Sequence, residues 1–337
     1  MSETAGASGG SAAEIDTARE ALVGLETIEE AAERIRDIVV RTPLLWSPDL
    51  SDEVGGEVRL KCESLQRTGS FKPRGACNFV ARLSTEELER GVVTYSSGNH
   101  GQAVAFAAGR AGARAVIVMP TTAPEIKRRG VERLGGEVVF EGTTSLQRKE
   151  RAERMAEAEG LTVVPPFDHP DIIAGQGTVG LEIERDWPEV DVVLAPVGGG
   201  GLLSGVAAAL RRLKPSVTIL GVEPHGAASL CAALQEGHPV TLDSIDTLAD
   251  GLAPVRTGDL TLLHARELVD DVVRVDDAAI REAATFLLRR QKLVVEYSGA
   301  ATVAALRSGV VSGEARRVAA VLSGGNADPS VLRELLA

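Results

Sequence analysis

The chain is short of several things, and each shortage excludes a class of function. Its 337 residues include only two Trp, two Tyr and six Phe. No stripe of basic and aromatic residues is visible, so the stacking and charge-neutralising surface of a nucleic-acid binder is missing. Cations are outnumbered: 36 Lys and Arg face 48 Asp and Glu, for a formal net charge of −12. Such a field repels phosphate backbones and anionic lipid. No apolar run approaches the roughly 18 residues of a membrane span. The three cysteines, Cys62, Cys77 and Cys231, are too few and scattered for a disulfide framework or a C-x-x-C metal site. They read as the reduced thiols of a cytoplasmic protein. The Ser/Gly/Ala-rich start has neither the basic opening nor the apolar middle of a signal peptide, and residues 1–26 are expected to form a disordered tail.

What remains is ordinary globular composition, 44% apolar and 25% charged. The length suggests roughly two domains, with a core that needs no covalent staples. Order is expected from Thr27, where Thr27-Ile-Glu-Glu30 spells a capping box. Ile28, Ala31, Ala32, Ile35, Ile38 and Val39 follow at helical spacing until Thr42-Pro43 stops the run. Strands are expected at 58–61, 92–95, 115–119, 137–140, 192–196, 218–222, 272–275 and 317–322. Helical stretches such as 102–109, 145–158 and 202–213 lie between them. This alternation predicts right-handed crossovers and an α/β fold with open, mostly parallel twisted sheets. No repeat of fixed period is present.

Three predicted strands run into glycine: Tyr95-Ser-Ser-Gly-Asn-His-Gly101, Val197-Gly-Gly-Gly-Gly-Leu202 and Leu322-Ser-Gly-Gly-Asn326. Ligands of open α/β sheets bind beyond the carboxyl ends of strands, so three such junctions point to one ligand gripped from several sides. At Gly198, Gly199, Gly200 and Gly201 no Cβ intervenes, and backbone N–H groups can converge on an anion at a positive helix end. No Lys-Ser/Thr follows, so the loop is not a P-loop; the bland alternative is a tight turn. Gly175-Gln-Gly-Thr-Val-Gly180 matches the dinucleotide fingerprint in its letters. It lacks both the preceding strand and the acid about twenty residues beyond, and glycines in a helix–helix contact account for it better. Lys72 sits between Phe71 and Pro73, with Gly69 and Gly75 on either side. A lysine in an apolar pocket has a lowered pKa and serves as a base or imine former; a solvated surface charge is the alternative.

The segment Lys61-Cys-Glu-Ser-Leu-Gln-Arg-Thr-Gly-Ser-Phe-Lys-Pro-Arg-Gly-Ala76 resembles the cofactor-lysine segment of fold-type II pyridoxal-phosphate enzymes. Within that group it resembles the threonine/serine dehydratase and serine racemase family. Ser96-Ser-Gly-Asn-His-Gly-Gln102, Ile173-Ala-Gly-Gln-Gly-Thr178, Pro196-Val-Gly-Gly-Gly-Gly201, Ala249-Asp-Gly251 and Leu322-Ser-Gly-Gly-Asn326 follow in the family's order. The likeness runs from about Thr27 to Asn326.

The resemblance implies a two-domain, tryptophan synthase β-like architecture: a larger domain of residues 27–90 and 169–337, and a smaller one of 91–168 inserted into it. By the same resemblance Lys72 would carry pyridoxal 5'-phosphate and, once free, remove the substrate's α-proton. Phe71 would lie against the cofactor ring, Asn99 would bond its 3′-oxygen and Ser323 would face its pyridine nitrogen. Gly198, Gly199, Gly200 and Gly201 would cradle its phosphate, and Glu296 would sit near the ring. The substrate carboxylate would meet the loop that carries Ser96, Ser97, Asn99 and His100. The implied activity is threonine/serine ammonia-lyase: L-threonine to 2-oxobutyrate and ammonia, or L-serine to pyruvate and ammonia. An amino-acid racemase and a 3-hydroxyaspartate dehydratase are the alternatives. Ser97 stands where the family's racemases hold a proton carrier on the face opposite the lysine. A non-catalytic binding protein is a further alternative, opposed by the intact Lys72, glycine loop and Ser323. For a divalent cation, Glu223 and the Ala227 carbonyl fit two ligand positions, but Ser229 stands where a second acid belongs, and a hard cation wants charged oxygens. A homodimer or higher homo-oligomer is expected. Eleven residues follow Asn326, and no carboxyl-terminal regulatory domain is expected.

Overall fold

The computed structural model describes residues 21–309, apart from Ser97, Pro124 and the side chain of Ile126, and residues 317–337. Its strands are β1 (Leu44–Trp46), β2 (Glu57–Lys61), β3 (Val92–Tyr95), β4 (Ala115–Met119), β5 (Glu137–Phe140), β6 (Thr162–Val163), β7 (Val192–Pro196), β8 (Thr218–Pro224), β9 (Asp271–Val275) and β10 (Arg317–Val321). They form a six-stranded sheet in the order β1-β2-β10-β7-β8-β9 and a four-stranded sheet in the order β5-β4-β3-β6. Every pairing is parallel except the edge pair β1–β2. The fold is α/β with open parallel sheets, as expected.

Around the sheets pack α1 (Leu25–Ile35), α2 (Pro48–Val54), α3 (Lys72–Val80), α4 (Thr85–Arg90), α5 (Asn99–Ala111), α6 (Glu125–Arg133) and α7 (Ser145–Glu159). They continue with α8 (Pro170–Asp186), α9 (Gly201–Leu213), α10 (Ser229–Glu236), α11 (Asp259–Leu268), α12 (Asp277–Phe286), α13 (Tyr297–Arg307) and α14 (Pro329–Leu336). The central strands β4 and β7 are buried along their whole length, because helices cover both faces of a parallel sheet; such strands read as unbroken apolar runs.

Several expectations need correction. The first helix of the described residues starts at Leu25 with Gly24 at its N-cap and no side-chain cap, so Thr27 lies inside the first turn and its capping box is not used. Residues 21–26 are not all loose tail: Val23 is buried and its N–H donates to His264 Nε2 at 2.9 Å. Strands β1 and β6 were not expected. They are three and two residues long, and only their neighbours identify them as strands. Ala76, Cys77, Phe79 and Val80 of α3 share a core with Val92, Ala103 and Ile117 beside the smaller sheet. The helix that opens with Lys72 therefore packs toward the four-stranded sheet.

The fingerprint-like glycines lie inside α8, as a helix–helix contact requires. A Cβ on Gly175 would overlap the Arg74 carbonyl, and one on Gly205 would overlap the backbone at Gly177. Helices α3, α8 and α9 thus touch backbone to backbone. Behind this contact lies a buried charge network. Arg74 holds both oxygens of Glu63 at 2.8 Å and both of Glu182 at 2.7 and 2.8 Å. Lys61 Nζ adds a bond to Glu182 at 2.6 Å.

Candidate active site

The cleft lies where β3, β7 and β10 end, and all three glycine junctions open into it. After β7 the chain turns through Gly198, Gly199 and Gly200 into α9. Gly200 has φ of +92°, and a side chain there would meet Thr261 Cβ at 2.8 Å. At Gly199 a side chain would overlap the Phe167 ring. The loop is therefore a cradle from which side chains are excluded, at the positive end of a thirteen-residue helix, which favours an anion.

Lys72 opens α3 and faces the same cleft. Its Nζ donates to the Pro166 carbonyl at 2.7 Å and lies 5.1 Å from the centre of the Phe71 ring. Burial lowers the pKa of this ammonium to about 8. Phe71 and Lys72 are held by the turn after β10. The Phe71 N–H donates to the Ser323 carbonyl at 3.1 Å, and Gly325 N–H donates to the Gly69 carbonyl at 2.8 Å. Ser323 is buried with its hydroxyl 3.5 Å from the Ser298 carbonyl.

The third junction starts α5. Gly98 caps it and donates its N–H to Ser96 Oγ at 3.1 Å; Asn99 and His100 form the first turn. Asn99 donates to Glu296 at 2.5 Å and accepts from Asn326 at 2.7 Å. Burial first, and Asp250 second, raise the Glu296 carboxyl to about 7. His100 is pushed down to about 3 by burial and by Lys72. Its Nε2 lies 3.1 Å from the Val164 carbonyl, which can only accept. The ring is thus neutral with Nδ1 unprotonated, and it brings no positive charge to a carboxylate. Ser97 lies outside the described residues.

The cleft brings together Phe71, Lys72, Ser96, Asn99, His100, Gly198, Gly199, Gly200, Gly201, Glu296 and Ser323. Four more residues became visible only in three dimensions. Phe167 leans on the glycine loop. Arg148 is buried on the rim; its side chain donates to the Thr143 carbonyl at 3.2 Å, and its Nε has no partner among the described residues. Lys127 and Asp250 pair across the mouth of the cleft. Of these only Asp250 stood in a sequence motif, and without a role.

These residues suit pyridoxal phosphate. A side-chain-free anion cradle, a lysine with a depressed pKa, a hydroxyl at Ser323 and an aromatic face at Phe71 share one cleft. A divalent cation is served less well by Glu223 and Ala227. Both Glu223 oxygens already accept N–H bonds at 2.8 Å, from Leu230 and Cys231. Burial raises this carboxyl's pKa, and Ser229 beside it is a neutral donor. The carboxylate caps α10, and the reaction proposed below has no step through a cation.

A family model described as "Pyridoxal-phosphate dependent enzyme" matches residues 35–324. The chain is 44% identical to L-threonine ammonia-lyase of Thermotoga maritima over 315 residues, 94% of this chain and 78% of that one. It is 41% identical to serine racemase of Oryza sativa subsp. indica over 317 residues, 93% of each. Its fold matches the structure of maize serine racemase with a TM-score of 0.89 at 39% identity, covering 93% of this chain and 97% of that one. The resemblance read from the motifs is borne out: with the match running through the lysine, the glycine loop and Ser323, the chain belongs to the pyridoxal-phosphate dependent enzyme family, among the threonine dehydratases and serine racemases.

Proposed function

We propose that the protein is a threonine/serine ammonia-lyase. The observation that carries the reading is the pairing, in one cleft, of Lys72 with a pKa near 8 and the glycine loop. Lys72 Nζ would hold the cofactor, Gly198 to Gly201 its phosphate, Phe71 one ring face, Asn99 its 3′-oxygen and Ser323 its pyridine nitrogen. When bound, pyridoxal phosphate withdraws electrons from the α-carbon of an attached amino acid. A hydroxyl at Ser323 supports that role less strongly than a carboxylate would. Lys72, freed by the incoming amino group, takes the α-proton on Nζ; an amine near pKa 8 is partly unprotonated at neutral pH and suits a general base. The first turn of α5 offers N–H groups to the substrate carboxylate. With His100 neutral, that recognition falls to these dipoles. Loss of the β-hydroxyl as water, followed by hydrolysis, leaves a 2-oxo acid and ammonia.

Racemisation is the second reading, favoured by the likeness to rice and maize serine racemases and by the serine at position 97. Arg148 favours a third substrate, 3-hydroxyaspartate, whose side-chain carboxylate would meet a guanidinium whose Nε has no partner among the described residues. A cytoplasmic location is proposed from the composition. A homodimer or higher oligomer is proposed from exposed Leu45 and Trp46 on edge strand β1.

The test is 2-oxo acid release from L-threonine, L-serine and 3-hydroxyaspartate by wild type and Lys72→Ala, with chiral chromatography of the remaining amino acid. Loss of tether and base together should remove several orders of magnitude in rate, since each role alone contributes about 10²-fold or more. A variant keeping a tenth of the activity refutes Lys72 as the catalytic lysine. D-isomer formation that vanishes in Ser97→Ala while elimination persists supports the second reading.

A further inference from the structure

Three consecutive residues, Pro166, Phe167 and Asp168, lie on the segment that leads from β6 of the smaller sheet to α8, and each touches a different part of the site. The Pro166 carbonyl accepts from Lys72 Nζ at 2.7 Å. Phe167 covers Gly199, and its Cα and Cβ lie 3.0 Å from where a Cβ on Gly201 would be. Asp168 reaches past the loop to α11. Its Oδ1 accepts the N–H of Thr261 at 3.0 Å and its Oδ2 the N–H of Asp259 at 3.1 Å.

Helix α11 needs that help. Its N-cap is Gly258, which has no side chain to satisfy the orphan N–H groups of the first turn, and a Cβ there would overlap the Asp168 carboxylate. Asp168 is thus an N-cap supplied from about ninety residues away. Thr261, the residue it fixes, is fully buried against Gly200, the glycine with φ of +92°. Thr261 Oγ1 also accepts the Gly258 N–H at 3.0 Å, and the neighbouring Thr257 hydroxyl donates to the Gly199 carbonyl at 3.4 Å. Contacts therefore run without a gap from Asp168 through the start of α11 to the back of the glycine loop.

We propose that Asp168 is a positioning residue for the anion cradle: by capping α11 it fixes Thr261 and Thr257 behind Gly199 and Gly200 and holds the loop in its phosphate-binding shape. This rests on the reading of the loop as the cofactor-phosphate site. In Asp168→Ala both acceptors go and the N–H groups of Asp259 and Thr261 lose their cap.

The test compares pyridoxal phosphate with pyridoxal, the same aldehyde without the phosphate, titrated into cofactor-free protein and followed by the visible absorbance of the lysine-bound species. Losing a cap should weaken pyridoxal phosphate about tenfold, while pyridoxal, which never uses the cradle, stays within twofold. Equal weakening of both, or of neither, overturns the proposal. Asp168→Asn keeps a single acceptor and should show an intermediate selective loss, which decides the matter if the Ala variant does not fold. A wild-type protein with no preference for the phosphorylated form overturns the cradle reading itself, and this role with it. That failure appears in wild type, whereas failure of the Asp168 proposal alone appears only in the variants.

Discussion

Arg74→Met should destabilise the protein by about 3–5 kcal/mol, the range for removing one partner of a buried ion pair. Arg74 is fully buried on α3, two residues beyond Lys72. Besides its four bonds to Glu63 and Glu182, it reaches Thr178 Oγ1 at 3.0 Å and the Val40 carbonyl at 3.3 Å. The network is neutral as it stands: Arg74 and Lys61 balance Glu63 and Glu182. Met fills much of the volume but leaves Glu63, fully buried, with only the Thr42 hydroxyl among its described side-chain partners. Glu182 retains Lys61. The uncompensated charge therefore falls on Glu63, and the cost is its desolvation rather than lost packing. Urea denaturation of the cofactor-free protein gives the magnitude. Adding Glu63→Gln to Arg74→Met should restore at least 1 kcal/mol, because it removes the orphan charge, whereas Glu63→Gln alone should destabilise. A loss under 1 kcal/mol for Arg74→Met, or strict additivity in the cycle, would refute the argument. Since α3 begins at Lys72, the same variant should also loosen the placement of that amine.

Glu296→Gln tests the raised carboxyl. Its pKa moves from 4.5 to about 7 on folding, so the folded state binds the proton more tightly, and the Glu296 contribution to the stability of the cofactor-free protein should fall by about 3 kcal/mol as pH rises through that window. Buried His100, whose pKa falls to about 3 on folding, stabilises both proteins as pH rises. The quantity to read is therefore the wild-type-minus-Gln difference in stability from thermal melts, which should fall by that amount between pH 5 and 8; parallel curves would contradict the shift. Arg148→Met should lower kcat/KM for 3-hydroxyaspartate about 10- to 100-fold relative to threonine, the value of a hydrogen bond to a charged group. An equal change for both substrates would show that Arg148 does not read a side-chain carboxylate. Glu182 is held below the usual carboxylate range, since Arg74 and Lys61 outweigh the upward push of burial. Its contribution to stability is present above the ordinary carboxylate pKa and lost as pH falls below it, so acid titration should destabilise wild type more than Glu182→Gln.

Some of this protein was written in local sequence. The strands at 115–119 and 192–196 have the bounds that their apolar runs predict, because a parallel strand buried on both faces must be apolar throughout, and that pattern needs no partner to be read; those at 92–95 and 137–140 also keep their predicted bounds, on β-branched content. The three glycine junctions were legible for a similar reason: a turn that admits no side chain must be spelled with glycine wherever it occurs. Lys72 stood out by its neighbours, and the order of the motifs carried the family. The tertiary structure decided what depends on distant partners. Strands β1 and β6 exist through pairing, since three and two residues carry no period of their own. Arg74 and Glu182 are 108 residues apart in the chain, and each alone reads as a surface charge. Asp168 is an acid after an aromatic until α11, about ninety residues on, presents a helix start without a cap. Thr27 shows the converse: a good local capping signal lost to a start at Leu25. Composition and punctuation are properties of a segment and survive in the sequence, whereas capping, charge pairing and short-strand pairing are properties of two segments and arise only when the fold brings them within hydrogen-bond reach.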